Sequence, residues 1–137
     1  MLHITKIKPL FTSIVTTGDK LEKDMIEKNI IIARKGDMKV WQKVIAIGSS
    51  VRDIKVGDMV MINVDNYALK RYSKDSLQND MDNNPSLGYK FNWVTIDDEE
   101  GNPQECLLLN DRDILYVFEG EERDEPLIGI GGKEIVL

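Results

Sequence analysis

The sequence predicts a small all-β domain. Apolar runs of four or five residues rich in β-branched side chains recur, notably Val44-Ile45-Ala46-Ile47 and Met59-Val60-Met61-Ile62. Gly, Asp and Asn punctuate them at Gly18-Asp19, Gly36-Asp37, Gly57-Asp58 and Asn110-Asp111, as tight turns between strands require. Two further runs flank an acidic turn at Asp97 to Gly101 and read as a hairpin.

Taken in order, Ile4 to Val15 alternates loosely and reads as a first strand, with Pro9 near its start, where no ladder donor is needed. Lys20 to Lys28 carries six charges in nine residues, and so brief a segment is expected to be a solvated connection rather than a helix. In Ile30-Ile31-Ile32 the residue types alone favour a buried strand in a two-sided core over an exposed apolar plug. Val40 to Gly48 and Met59 to Val64 are strands joined through a turn at Gly57-Asp58, with Trp41 in the core or at a subunit interface. Asp65-Asn66 turns the chain, and Tyr67 to Leu69 continues as strand. Tyr72 to Asn92 is rich in loop formers and reads as a surface insertion. Phe91, Trp93, Val94 and Ile96 mark the next strand, Glu105 to Leu109 the returning one, and Ile114 to Phe118 the last. Glu119 to Glu125 is acidic and extended.

A chain of 137 residues is most simply one domain that buries roughly two thirds of its unfolded surface. Its formal charge of −6 argues against a protein that works by neutralising phosphates. The single cysteine, Cys106, rules out an internal disulfide and a cysteine-based zinc site, and its setting among leucines is that of a buried small apolar residue. No window resembles a membrane span or a signal peptide, so the expectation is a cytoplasmic protein without membrane or nucleic-acid partners.

No catalytic or cofactor constellation emerges. His3 is the only histidine and stands at the chain start, so neither a nucleophile triad nor a metal-ligand spacing can be built around it. Asp80, Asp82 and Asn84 open like a calcium loop, but Pro85 and Phe91 stand where Gly and the bidentate Glu are needed. Gly129, Gly131 and Gly132 lack the spacing and the following helix of a dinucleotide fingerprint. The carboxylates of Asp97 to Glu100 read as a solvated turn tip rather than an acid/base pair. The expectation is no enzyme, no cofactor and no metal: a protein that works by binding.

In order along the chain, Lys8-Pro9-Leu10 with Ile14-Val15, Asn29-Ile30-Ile31-Ile32, Lys43-Val44-Ile45-Ala46-Ile47-Gly48, Val56-Gly57-Asp58-Met59-Val60 followed by Tyr67 and Lys70, and Asp113-Ile114-Leu115 within Asp111 to Phe118 resemble the motifs of the GroES-like co-chaperonins, the lids of chaperonin rings. The resemblance spans about residues 8–70 and 94–119. It implies a small, partly open GroES-like β-barrel over residues 1–119, with a mobile loop at about 17–39, an insertion at about 72–93 and a C-terminal extension at 120–137. It further implies a ring, commonly a homo-heptamer, in which the first strand of one subunit meets the last of its neighbour. In that ring Ile30, Ile31 and Ile32 would anchor the chaperonin, the reverse of the reading from residue types.

The sequence also departs from the family. Thr12-Ser13 stand where members carry Asp-Arg, Lys28-Asn29 stand where glycines precede the apolar triplet, and the stretch from Gly48 to Val56 is too short for a roof hairpin. Such divergence is comparable to that of co-chaperonins encoded by large phages, which would place the protein in a host cytoplasm. Gly131-Gly132 leading to Ile135, Val136 and Leu137 reads either as a second chaperonin contact or as a strand pairing with a neighbour. The competing expectation is a structural assembly or virion-associated protein that reuses the barrel without a chaperonin. A detached dehydrogenase-type domain is disfavoured because its zinc-ligand cysteines and histidines are lacking.

Overall fold

The computed structural model describes residues 1–71 and 86–123. It is all-β, and its main element is a six-stranded antiparallel sheet in the order β10-β5-β4-β1-β9-β8. These strands are β1 (Ser13–Thr17), β4 (Trp41–Ile47), β5 (Met59–Ile62), β8 (Trp93–Asp97), β9 (Pro103–Asn110) and β10 (Ile114–Phe118). Two further hairpins stand apart in their pairing: β2 (Met25–Glu27) with β3 (Ile30–Ala33), and β6 (Ala68–Arg71) with β7 (Ser86–Tyr89). Two 3-10 turns, Val64–Tyr67 and Asp111–Asp113, complete the described elements. Among the described residues no helix is long and apolar enough to cross a membrane.

β1 is the central strand, and Ile14, Val15 and Thr16 are all fully buried, so it is covered on both faces. It pairs with β9 through Ile14↔Leu109 and Thr16↔Leu107, and with β4 through Ile14↔Ile47 and Thr16↔Val44. A register shift between Val15 and Thr16 bends this second pairing, as a bulge does. β4 links two halves of the sheet: Val44 to Ile47 face β1, while Trp41 to Lys43 pair with Met61 to Met59 of β5. The core consists of two clusters, one of Ile14, Val44, Ile54 and Val60, the other of Ile62, Leu107 and Leu109 with Tyr67 and Phe91 packed against it.

Glycines enforce two of the turns. Gly57 adopts φ +97° in the turn where the Asp58 amide donates to the Lys55 carbonyl at 3.1 Å, a conformation that side chains with a Cβ resist. Gly48 lies so close to the Phe11 carbonyl that a Cβ would meet it at 2.3 Å.

Several expectations change here. Ile4 to Leu10 are not strand: only Ile4 makes an isolated bridge, to Ile96, and β1 begins after a turn at Phe11-Thr12. The charged segment Lys20 to Lys28 contains β2, because Met25 and Ile26 find a partner strand in β3. Within the expected insertion, Ser86–Tyr89 pairs with Ala68–Arg71. The calcium-like Asp80, Asp82 and Asn84, the glycines 129, 131 and 132, and Ile135, Val136 and Leu137 lie outside the described residues. Cys106 is buried as expected, and burial pushes its thiol pKa up, with Asp19 adding to the shift. His3 is held at the sheet edge by a 3.1 Å contact between its Nδ1 and Asp97 Oδ2.

Candidate protein-docking site

The three isoleucines form a strand but not a buried one. Ile30, Ile31 and Ile32 are 64%, 43% and 53% exposed, and Ile26 opposite them is 51% exposed. The reading from residue types fails because a two-sided core needs a neighbouring layer. Among the described residues β3 has only β2 beside it. Successive side chains of a strand point to opposite faces, so Ile30 and Ile32 stand on one face of the hairpin. Ile31 stands on the other, directly across from Ile26. The hairpin therefore carries exposed apolar side chains on both of its faces.

The turn of this hairpin is Lys28-Asn29, with Glu27 and Ile30 paired across it. Both turn residues have positive φ, +55° and +65°, which is the type I′ geometry that matches the strand twist. Asn tolerates that region and Lys does so less readily, so the pair occupies backbone conformations that glycine favours.

Two strands alone are marginal, and the hairpin depends on its root. Leu21 is buried there; its amide donates to the Asp37 carbonyl at 2.8 Å, and the Gly36 amide donates to the Leu21 carbonyl at 2.9 Å. Asp24 and Asp37 carboxylates accept from the amides of Lys35 (2.7 Å) and Arg34 (2.9 Å). The two legs of the root meet at Gln42, which is 1% exposed on β4. Its Oε1 accepts from Thr17 Oγ1 at 2.8 Å and from the Asp19 amide at 2.9 Å. Its Nε2 donates to the carbonyls of Asp19 at 3.0 Å and Lys39 at 2.8 Å. All four hydrogen-bonding positions of the carboxamide are thereby used, as a buried amide requires. The sequence reading passed over Gln42. Its signal was present, since it shares the core-facing register of Val44 and is the one polar residue there.

A second apolar surface is the edge strand β10. Leu115, Tyr116 and Val117 are 56%, 52% and 41% exposed, and among the described residues no strand pairs with the outer edge of β10. An open groove of about 530 Å³ runs beside it, lined by Arg52, Ile54, Arg112, Ile114, Tyr116 and Val117 among others. The opposite edge, β8, is covered at one end by the N-terminal segment, where the Asp97 amide donates to the Ile4 carbonyl at 2.7 Å.

The buried polar group nearest to β10 is Asp113. It accepts from the Tyr67 hydroxyl, from Asn66 Nδ2 at 2.8 Å and from the Asn110 amide at 3.1 Å. Burial first, and then this carboxylate, push the Tyr67 pKa well above its ordinary value. The cluster joins the turn before β6 to the turn before β10. It is a structural lock, because every oxygen of the carboxylate is engaged inside the protein.

Among the described residues no group of three His, Cys, Asp or Glu side chains is placed to hold a metal ion. No family model matches this chain, and none of the curated proteins matches it either.

Proposed function

We propose that the protein is a co-chaperonin: a ring-forming lid that docks on a chaperonin through Ile30, Ile31 and Ile32. The observation that carries this reading is the exposure of all three isoleucines on a hairpin that pairs with no other strand among the described residues. The ordered motif resemblance supplies the class of partner, and the exposed edge of β10 supports self-association. An unpaired edge with apolar side chains invites a strand from another chain. Because β10 and the N-terminal segment that lies beside β8 are different surfaces, a contact between them is head-to-tail and can close into a ring.

The physical logic is multivalency. A short two-stranded hairpin offers a small apolar contact that is weak and releasable at each site, while several copies on one ring act together through effective concentration. The test is to mix the purified protein with a chaperonin ring and nucleotide and to look for capped complexes by electron microscopy and native mass measurement. Capping by the wild type and none by Ile31→Asp, with the assembly of the variant intact, supports the reading. Equal capping by both removes the isoleucines from it.

A second reading is a structural assembly protein that keeps the same surfaces for permanent contacts. It is favoured by the paired state of Met25–Glu27 and Ile30–Ala33 in the chain by itself. Finding the protein stoichiometrically in purified particles would support it, and finding it only in the surrounding lysate would count against it.

A further inference from the structure

Four residues beyond the end of β10, the Glu122 carboxylate meets two residues of the β4 side. Its Oε2 accepts from Trp41 Nε1 at 2.9 Å and from Lys39 Nζ at 3.0 Å. The Lys39 ammonium also lies 6.0 Å from the centre of the Trp41 ring. Cross-strand pairs define the face on which this happens: Trp41 opposes Met61, Lys43 opposes Met59, Tyr116 opposes Met61 and Phe118 opposes Met59. Alternation puts these residues on the side of the sheet away from buried Gln42 and Val60. The chain leaves β10 at Phe118, beside Met59, and Glu122 is found at Trp41. In the strand order β5 lies between these two points. Two strand spacings are about 10 Å, within reach of four extended residues.

Lys39 is also part of the hairpin root. Its amide donates to the Asp19 carbonyl at 3.0 Å, and its own carbonyl accepts from Gln42. One carboxylate thus ties the end of the last strand to the residue that closes the isoleucine hairpin.

We propose that Glu122 is a latch, a positioning residue that seats the segment after β10 across β4 and β5 and holds the root of the isoleucine hairpin in a fixed orientation to the rest of the sheet. Its contacts are weak one by one, as befits a device that can open. The latch stands independently of any chaperonin, because its test uses this protein by itself.

The test compares wild type with Glu122→Ala and Glu122→Gln by the indole N–H resonances of the two tryptophans and by amide hydrogen exchange. In Glu122→Ala the Trp41 indole N–H loses its acceptor and its resonance moves, while that of Trp93 stays. The amides of Leu21, Gly36 and Lys39 exchange about two- to fivefold faster, the range set by opening a partly exposed ion pair. Amides of the β1–β9 ladder serve as the reference and do not change. Glu122→Gln keeps an acceptor for the indole but loses the charge facing Lys39, so it falls between the two. An unmoved Trp41 resonance overturns the latch. A moved resonance with unchanged exchange at Leu21, Gly36 and Lys39 also overturns it, because the contact would then position nothing.

Discussion

Ile26 stands directly opposite Ile31 across the β2–β3 pair, and each is about half exposed, at 51% and 43%. A pair of this kind contributes only about 0.2–1 kcal/mol across a sheet. Ile31→Ser should therefore change the unfolding free energy by no more than about 1 kcal/mol in urea. Val60→Ala, in the fully buried register of β5, should cost about 1–3 kcal/mol, near the loss expected for two buried methyls and the cavity they leave. Equal losses at the two positions would mean that Ile31 is buried in solution.

Lys28 and Asn29 hold the positive φ values of the hairpin turn. Replacing the pair with Asn-Gly relieves the turn without touching an isoleucine, and should stabilise the hairpin by about 0.5–1 kcal/mol. Slower exchange of the Leu21 and Gly36 amides would report it. A β-branched residue at position 29, as in Asn29→Val, should have the opposite effect, because that region is a steric outlier for such side chains.

Gln42→Ala removes the four hydrogen bonds that join Thr17, Asp19 and Lys39. Several of the groups left behind are partly buried, so the expected loss is about 2–3 kcal/mol by urea denaturation. The hairpin amides should lose protection more than the β1–β9 amides do. Uniform loss would show that Gln42 supports the whole sheet rather than the root.

The burial of Tyr67 and, after it, its bond to Asp113 set an alkaline limit. The pKa of Tyr67 is raised in the fold above its ordinary value of 10.0, so its stabilising bond is complete below that value and is lost as pH rises through the elevated one. Phenolate absorbance followed by ultraviolet titration should therefore contain a late component that develops only as the protein unfolds. Tyr67→Phe should remove that component and cost about 1 kcal/mol at neutral pH.

The strands were legible where one face is buried and the period of two survives. Met59 to Ile62 and most of Val40 to Gly48 follow the sequence pattern closely. The isoleucine triplet was not legible from residue types, because Ile30-Ile31-Ile32 would read the same in a covered strand. Only the absence, among the described residues, of a third strand beside β3 separates the two cases. The pairing of Met25–Glu27 was hidden by its charged surroundings, and that of Ser86–Tyr89 by neighbouring loop formers. Glu122 carried no signal among the acidic residues around it, since its role depends on where β10 delivers the chain. The start of β1 was misjudged because Pro9 and the turn at Phe11-Thr12 look like an edge strand when only alternation is counted.

The most direct test of the account is capture of the protein by a chaperonin ring with nucleotide present, comparing wild type with Ile31→Asp at matched assembly state. The account predicts capped complexes for the wild type and none for the variant, with the variant still assembled and folded. Capping that is unchanged by the aspartate, or a wild type that never caps the ring, would contradict it.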